Sequence, residues 1–503
     1  MFSRLVRGLA PLFLILPTVA AAQADPPVTP ADLRRHIDVL ASDAFQGRAP
    51  ATEGERLTTA YIVEQWRQRG LEPTGEDGGW FQPVALVERA AERHRIDWTA
   101  RGRALDFDQQ DIILLGRDAE GRIADAPVIF AGHGARIPDR GIDQLAGVDV
   151  RGAVVLILLE GPGVPGFPSL SERRQAVTDA GAAAVIAVVG SEIGWPQVRA
   201  LMAGQVATRL ASVTVPAATG AMPISALQRL LDAAGGDMDR LLNAQPGSSF
   251  RAVTLPLRAT IEVTTSVRRY ASNNVVGRIR GSGSTAESVL YLGHWDHFGI
   301  CRAEGEADRI CNGAVDNASG IAALIEIAGR LARQPRPTRD ILFLATTAEE
   351  MGLLGAEHFV ANPTVPIASI VAAINLDTIA IHPAGEPVAV IGRGVPELDA
   401  AIEATVHAAG RRLDTDGEAD VMVQRQDGWA LARVGVPAIM VGGSFSNMAL
   451  LNGFLAGDYH APEDQPGPGL MLDGAAEDAT LLVALGRRLA DPAAYTRNGS
   501  APE

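Results

Sequence analysis

Three short apolar runs between residues 288 and 374 each stop just short of a residue that can bind a metal. Residues 288–292 lead into His294, residues 340–344 into Glu349-Glu350, and residues 371–374 into Asp377. Unbroken apolar runs of this length, bounded by polar turns, predict buried strands. Between the first two, Ile321, Leu324, Ile325, Ala328 and Leu331 fall at helical spacing. Strand, helix, strand at this spacing predicts a βαβ crossover and an α/β fold, with helices flanking a mostly parallel sheet. In such sheets ligands bind beyond the carboxyl ends of the strands, where these residues sit.

Five patches carry the chemistry: Gly293-His294-Trp295-Asp296, Gly313-Ala314-Val315-Asp316-Asn317, Glu349-Glu350, Asn375-Leu376-Asp377 and Tyr459-His460. Each alone has an ordinary structural reading. Glu349-Glu350 suits the first turn of a helix, Asp316-Asn317 a helix cap, and Asn375-Leu376-Asp377 a strand-ending turn. Together they offer two histidines and five carboxylates, of which three or four suit direct metal ligation. That mixture suits two divalent ions held close together, and hydrolysis by a water they share.

The same motifs, read with Ala318-Ser319-Gly320 and Ala461-Pro462-Glu463-Asp464, closely resemble metallopeptidase family M28 from about residue 273 to 464. That family consists mainly of zinc aminopeptidases, with some carboxypeptidases and cyclases. The resemblance implies two zinc ions. His294 and Asp377 would hold one, Glu350 and His460 the other, and Asp316 would bridge them. Asp296 would accept the second ring N–H of His294. Glu349 would be the general base, and Tyr459 would donate to the oxyanion. A cis peptide between Asp316 and Asn317 is also implied. The residues 423–428 (Val-Gln-Arg-Gln-Asp-Gly) depart from the family's usual Arg-Ser-Asp-His, which leaves Asp427 either facing a substrate ammonium or capping a helix.

Two further stretches resemble known modules. Residues 40–71, with Phe45-Gln46-Gly47-Arg48 and Gly54, resemble the family's N-terminal helix pair. Val148-Asp149-Val150-Arg151-Gly152, followed by an Ala/Gly-rich stretch, resembles the protease-associated (PA) domain. The expected organisation is a signal peptide over 1–24, catalytic residues 25–110, a β-rich α/β insert over 111–257, the metal-binding part over 258–490 and a frayed tail over 491–503. His133, the insert's one histidine, reads as structural.

At 503 residues the chain is too long for one core. Arg4 and Arg7, the apolar residues 9–19 and Ala20-Ala21-Ala22 make a secretory leader, so an exported, periplasmic or secreted protein is expected, with no membrane anchor. The formal charge of -15 becomes more negative when the leader's arginines are lost, and disfavours nucleic acid as a partner. In an oxidising compartment Cys301 and Cys311, the chain's two cysteines, are candidates for one disulfide. The expected activity is removal of N-terminal residues from peptide substrates. The alternatives are a carboxypeptidase or dipeptidase of the same fold and, third, a non-catalytic receptor-like relative.

Overall fold

The computed structural model describes residues 26–162, 167–190, 194–202, 206–243 and 249–497; the expected leader lies outside them. Strands Asp340–Thr346, Ser288–His294, Ile370–Asn375 and Ala438–Gly442 run parallel, side by side in that order. Ala389–Ile391 and Val253–Ile279 flank them antiparallel. Every residue of Ser288–His294 and Ile370–Asn375 is buried, as their unbroken apolar character requires.

Both faces of this sheet are covered. Val289 and Tyr291 pack towards helices Gly320–Arg333 and Leu472–Leu489, while Leu290 and Leu292 point the other way, towards Phe359 and Leu431. Tyr291 stacks on Phe343 at 5.4 Å, and its hydroxyl donates to the Leu482 carbonyl at 2.6 Å. That bond removes the penalty of burying the phenol oxygen. Thr29 and Asp32 cap the helix Pro30–Leu40 reciprocally, and it joins the same core.

Two long antiparallel strands, Phe81–Ala100 and Val253–Ile279, lead out of the catalytic sheet into a second layer. There Glu120–Phe130, Val154–Leu158, Ala184–Val189 and Ala218–Pro223 pair in parallel, with Ile113–Gly116 antiparallel at the edge. This layer has its own core, which takes in Trp98, Phe130, Leu156, Ile186 and Leu230. His133 is half-buried there, its Nδ1 donating to the Glu160 carbonyl at 3.0 Å.

Of the expected tail, residues 491–497 are described, and they are anchored through Tyr495: it is 2% exposed, its hydroxyl donates to the Val371 carbonyl at 3.0 Å, and Arg339 donates to the Tyr495 carbonyl at 2.7 Å, while Asp491, Ala493, Ala494 and Thr496 are exposed. One aromatic anchor with its polar atoms paired suffices to dock the segment. Among the described residues no helix is long and apolar enough to cross a membrane.

Candidate metal centre

The turns after the parallel strands converge on one spot. His294 ends its strand, Glu349 and Glu350 follow Asp340–Thr346, and Asp377 follows Ile370–Asn375. Asp316 lies in the turn that starts helix Gly320–Arg333, and its peptide bond to Asn317 is cis. His460, in a left-handed conformation, follows helix Met448–Ala456.

The donor atoms fall into two sets that share Asp316. His294 Nε2 lies 3.2 Å from Asp316 Oδ1 and 3.6 Å from Asp377 Oδ1. His460 Nε2 lies 3.0 Å from Glu350 Oε2 and 3.4 Å from Asp316 Oδ2. A tetrahedral site with ligands at zinc distances has edges of about 3.3 Å. Each set therefore has the dimensions of one zinc site. His294, Asp316 and Glu350 alone bring one donor atom each within 4.8 Å of one another.

Charge points the same way. Asp296, Asp316, Asp427 and Asp464 are each at most 3% exposed, beside Glu349, Glu350 and Asp377. Burial raises Glu349 well above the carboxylate range, offset by His294 and reinforced by Glu350 and Asp427. Burial, offset in part by His294, takes Asp296 up to about 8. Burial would lower His460, but Asp316 and Glu350 outweigh it and take the ring up to about 9. His294 is likewise held well above its ordinary value, by Glu349, Asp316 and Asp377 against burial. Without a cation these carboxylates gather protons; a divalent ion supplies the same charge, so the residues fit zinc.

Other side chains hold the donors in place. Asp464 accepts from the backbone of Val315 at 2.9 Å and of Asp316 at 3.0 Å. Burial takes its carboxyl up to about 6 despite those bonds. Arg48, 1% exposed, donates to the carbonyls of Leu40, Trp295, Asn312 and Gly313, clamping the His294 and Asp316 loops together. Nothing local in the sequence marks this, because the acceptors are backbone atoms, two of them more than 260 positions away. His297 has no role in the sequence pattern. It is 1% exposed, and its Nδ1 donates to Glu350 Oε1 at 2.6 Å, leaving Oε2 for the His460 side. Its one sequence signal is its position beside Asp296. Gly313, at φ +55°, makes room for it: a Cβ there would lie 2.7 Å from the His297 ring.

Two expected residues, Asp296 and Asp427, sit differently from their sequence-based roles. His294 Nδ1 donates to the backbone carbonyl of Asp296 at 3.1 Å; the Asp296 carboxylate is 3.9 Å away. That carboxylate is turned to the Glu349 N–H, at 3.2 Å. Asp427 makes no capping bond; it is 1% exposed and accepts from the Thr346 hydroxyl, which keeps its carboxylate off the pocket surface. Its other oxygen has no partner among the described residues, and burial takes the group up to about 6. Tyr459 stacks on His460, with ring centroids 3.6 Å apart, and lines the pocket over Asp316 and Glu349. Burial and the surrounding carboxylates raise its hydroxyl, so it stays a donor. Cys301 and Cys311 form a disulfide, and Cys311 Sγ lies 3.5 Å from the His460 carbonyl.

An α/β sheet with histidines and carboxylates gathered at its strand ends is the kind of arrangement that can hold divalent metal ions. Residues 274–473 match the model of Peptidase family M28. The chain is 31% identical over 205 residues to "Probable lipoprotein aminopeptidase LpqL" of Mycobacterium tuberculosis, covering 37% of each. It is 32% identical over 120 residues to "Aminopeptidase NAALADL1" of Mus musculus, covering 23% of this chain and 14% of that protein. The curated relatives are thus matched over well under two thirds of their length. The fold resembles that of the aminopeptidase from Aneurinibacillus sp. strain AM-1, with a TM-score of 0.54 at 16% identity, over 95% of this chain and 98% of that one.

Proposed function

We propose that the protein is an exported zinc aminopeptidase with two metal ions. The observation that carries this reading is the division of Asp316: one oxygen belongs with His294 and Asp377, the other with Glu350 and His460. Bound zinc would acidify water and polarise the scissile carbonyl. The remaining chemistry belongs to the chain. Glu349, whose raised proton affinity suits a base, takes the proton of the attacking water as its oxygen adds to the carbonyl carbon. Tyr459 donates its hydroxyl proton to the developing oxyanion through a hydrogen bond. Glu349 then passes its proton to the leaving amine as the C–N bond breaks. Asp296 holds the Glu349 backbone, and His297 orients Glu350. Met422, Met440, Phe445, Leu451 and Leu455 make the pocket wall apolar, which supports an apolar N-terminal side chain. The second layer, proposed over residues 111–257 as a PA-like insert, supplies none of the donor atoms above.

One observation favours a second reading. Arg425 lines the same pocket with no carboxylate partner among the described residues, and an unpaired arginine there suits a substrate α-carboxylate, as in a carboxypeptidase or dipeptidase. Free, N-acetylated and C-amidated peptides, hydrolysed with metal content measured alongside, separate the two. Loss of turnover on acetylation alone is expected. Loss on amidation alone would move the assignment to a carboxypeptidase.

A further inference from the structure

A second cleft, of about 1030 Å³, lies between the inserted layer and the catalytic sheet. Helix Leu170–Asp179 and strand Val206–Leu210 form one side, and Gly352, Gln424 and Trp429 the other. Its volume is at the top of the range for ligand sites, roughly 300–1,000 Å³.

The chain carries 59 acidic against 44 basic residues, yet this wall is basic. Five arginines face the cleft against Glu172, Asp179 and Glu357. Those three acids are already engaged. Arg433 reaches Glu357 at 3.2 Å and Glu172 at 3.8 Å, Glu172 also caps its own helix through Ser169, and Asp179 accepts from Gln175 at 2.7 Å. Arg117 is paired with Asp118 at 2.8 Å. Arg89, Arg174 and Arg209 remain, with no carboxylate partner among the described residues.

The fold fixes these three side by side. Arg209 and Arg269 both stand opposite Val87 in neighbouring strands, and Arg89 lies two residues along from Val87, on the same face. Arg89 Nε donates to the Arg117 carbonyl at 2.8 Å. Arg174 donates one bond to the Gly220 carbonyl at 3.2 Å, while its buried Nε finds no acceptor among the described residues. Burial, then Arg209 and Arg173, lower Arg174 to about 10, and no acid offsets them. Asp118, paired with Arg117, offsets Arg89 in part, but Arg117, Arg209 and Arg269 act against it; clustered like charges are costly when partly buried, and a bound anion reduces that cost.

We propose that this cleft binds carboxylate groups of the peptide substrate, with Arg89, Arg174 and Arg209 as the guanidinium contacts; the assignment rests on the peptidase reading above. Guanidinium forks match carboxylates in geometry as well as charge. The two sites are contiguous in the chain. Gln424 on the cleft wall directly precedes Arg425 on the metal-site wall, and Gly352 follows Glu350 by two residues. A peptide with one end at the metal centre extends towards the arginines. The carboxylate can be a short peptide's C-terminus or an acidic side chain further along it.

The test compares wild type with the double variant Arg89→Gln/Arg209→Gln on four substrates: Leu-Ala-Ala-Ala, its C-terminal amide, Leu-Ala-Glu-Glu amide and leucine p-nitroanilide. Wild type is expected to show a lower KM for whichever peptide bears the recognised carboxylate, and added salt should erase the difference. The variant should raise that KM about tenfold, the effect of one charge-assisted contact, with kcat little changed and leucine p-nitroanilide unaffected. A preference for the free acid identifies the C-terminus as the source, and a preference for the Glu-Glu amide identifies side chains. Equal KM values across the peptides in wild type, or an equal loss on all four substrates in the variant, would overturn the cleft assignment. Binding of fluorescently labelled Ala-Glu-Glu with an acetylated N-terminus, followed by anisotropy, needs no turnover. Tight binding lost in the double variant upholds the cleft even if no substrate is hydrolysed, and hydrolysis of leucine p-nitroanilide without any such binding overturns the cleft alone.

Discussion

Glu349 is a carboxyl whose backbone is pinned by Asp296 and whose proton affinity is raised first by burial, against His294, and then by the surrounding carboxylates. Glu349→Gln keeps the shape and removes the base. Metal content should stay near normal while turnover falls about 10²–10⁴-fold; near-wild-type turnover in the metal-replete variant would remove Glu349 from that role. His297 acts one step back. Its 2.6 Å bond fixes one oxygen of Glu350, so His297→Ala frees that carboxylate to rotate. Zinc affinity, measured by competition with a chromogenic chelator, should weaken about 10–100-fold; unchanged affinity would reduce His297 to a packing residue. The expected donor residues could be picked out in sequence because metal-binding residue types followed strand-like runs. His297 and Arg48 could not, since their roles are defined by partners that only folding brings near.

The helix Gly320–Arg333 is tied to the N-terminal helix pair by Glu326, and also by Asp32, which accepts from Arg330 at 2.8 Å. Glu326 accepts from His36 at 2.9 Å, from Arg69 at 2.7 Å and from Arg330 at 2.9 Å. Burial would raise its carboxyl, but His36 and Arg69 prevail and lower it from 4.5 to about 2. The folded state therefore binds this proton less readily than the unfolded chain. The stabilisation is complete above pH 4.5 and is lost as pH falls towards 2, up to about 3 kcal/mol. Urea unfolding between pH 6 and pH 2.5 should show this loss in wild type, with a flatter profile in Glu326→Gln; parallel profiles would exclude Glu326 as its source. Periodicity in sequence indicated the helix but not this tie, because a charged residue on a helical pattern reads first as a solvated one.

The two cores share their longest strands. Phe81–Ala100 and Val253–Ile279 pair over 18 positions and carry residues of both layers, so neither layer can lose its edge without disturbing the other. Metal bound only to the folded state adds RT ln(1 + [L]/Kd), about 4 kcal/mol at a thousandfold excess over Kd. Chelation should therefore lower the melting temperature of one cooperative transition. A melt that splits in two, with only one part sensitive to chelator, would show that the layers unfold independently.

The parallel sheet, the order of the loops after its strands, and the His and carboxylate residue types that gather there were legible in the sequence. These depend on local properties: apolar run length, helical spacing and the chemistry of single side chains. Tertiary structure alone decided which oxygen of Asp316 faces which histidine, that Asp427 turns inward to Thr346, that Arg48 clamps two loops, and that Tyr495 docks the chain end. It also decided that Arg89, Arg174 and Arg209 share one cleft. The physical reason is that hydrogen bonds and ion pairs act over a few ångströms. Their partners here lie tens to hundreds of residues apart, and no local pattern records which of them the fold will bring together.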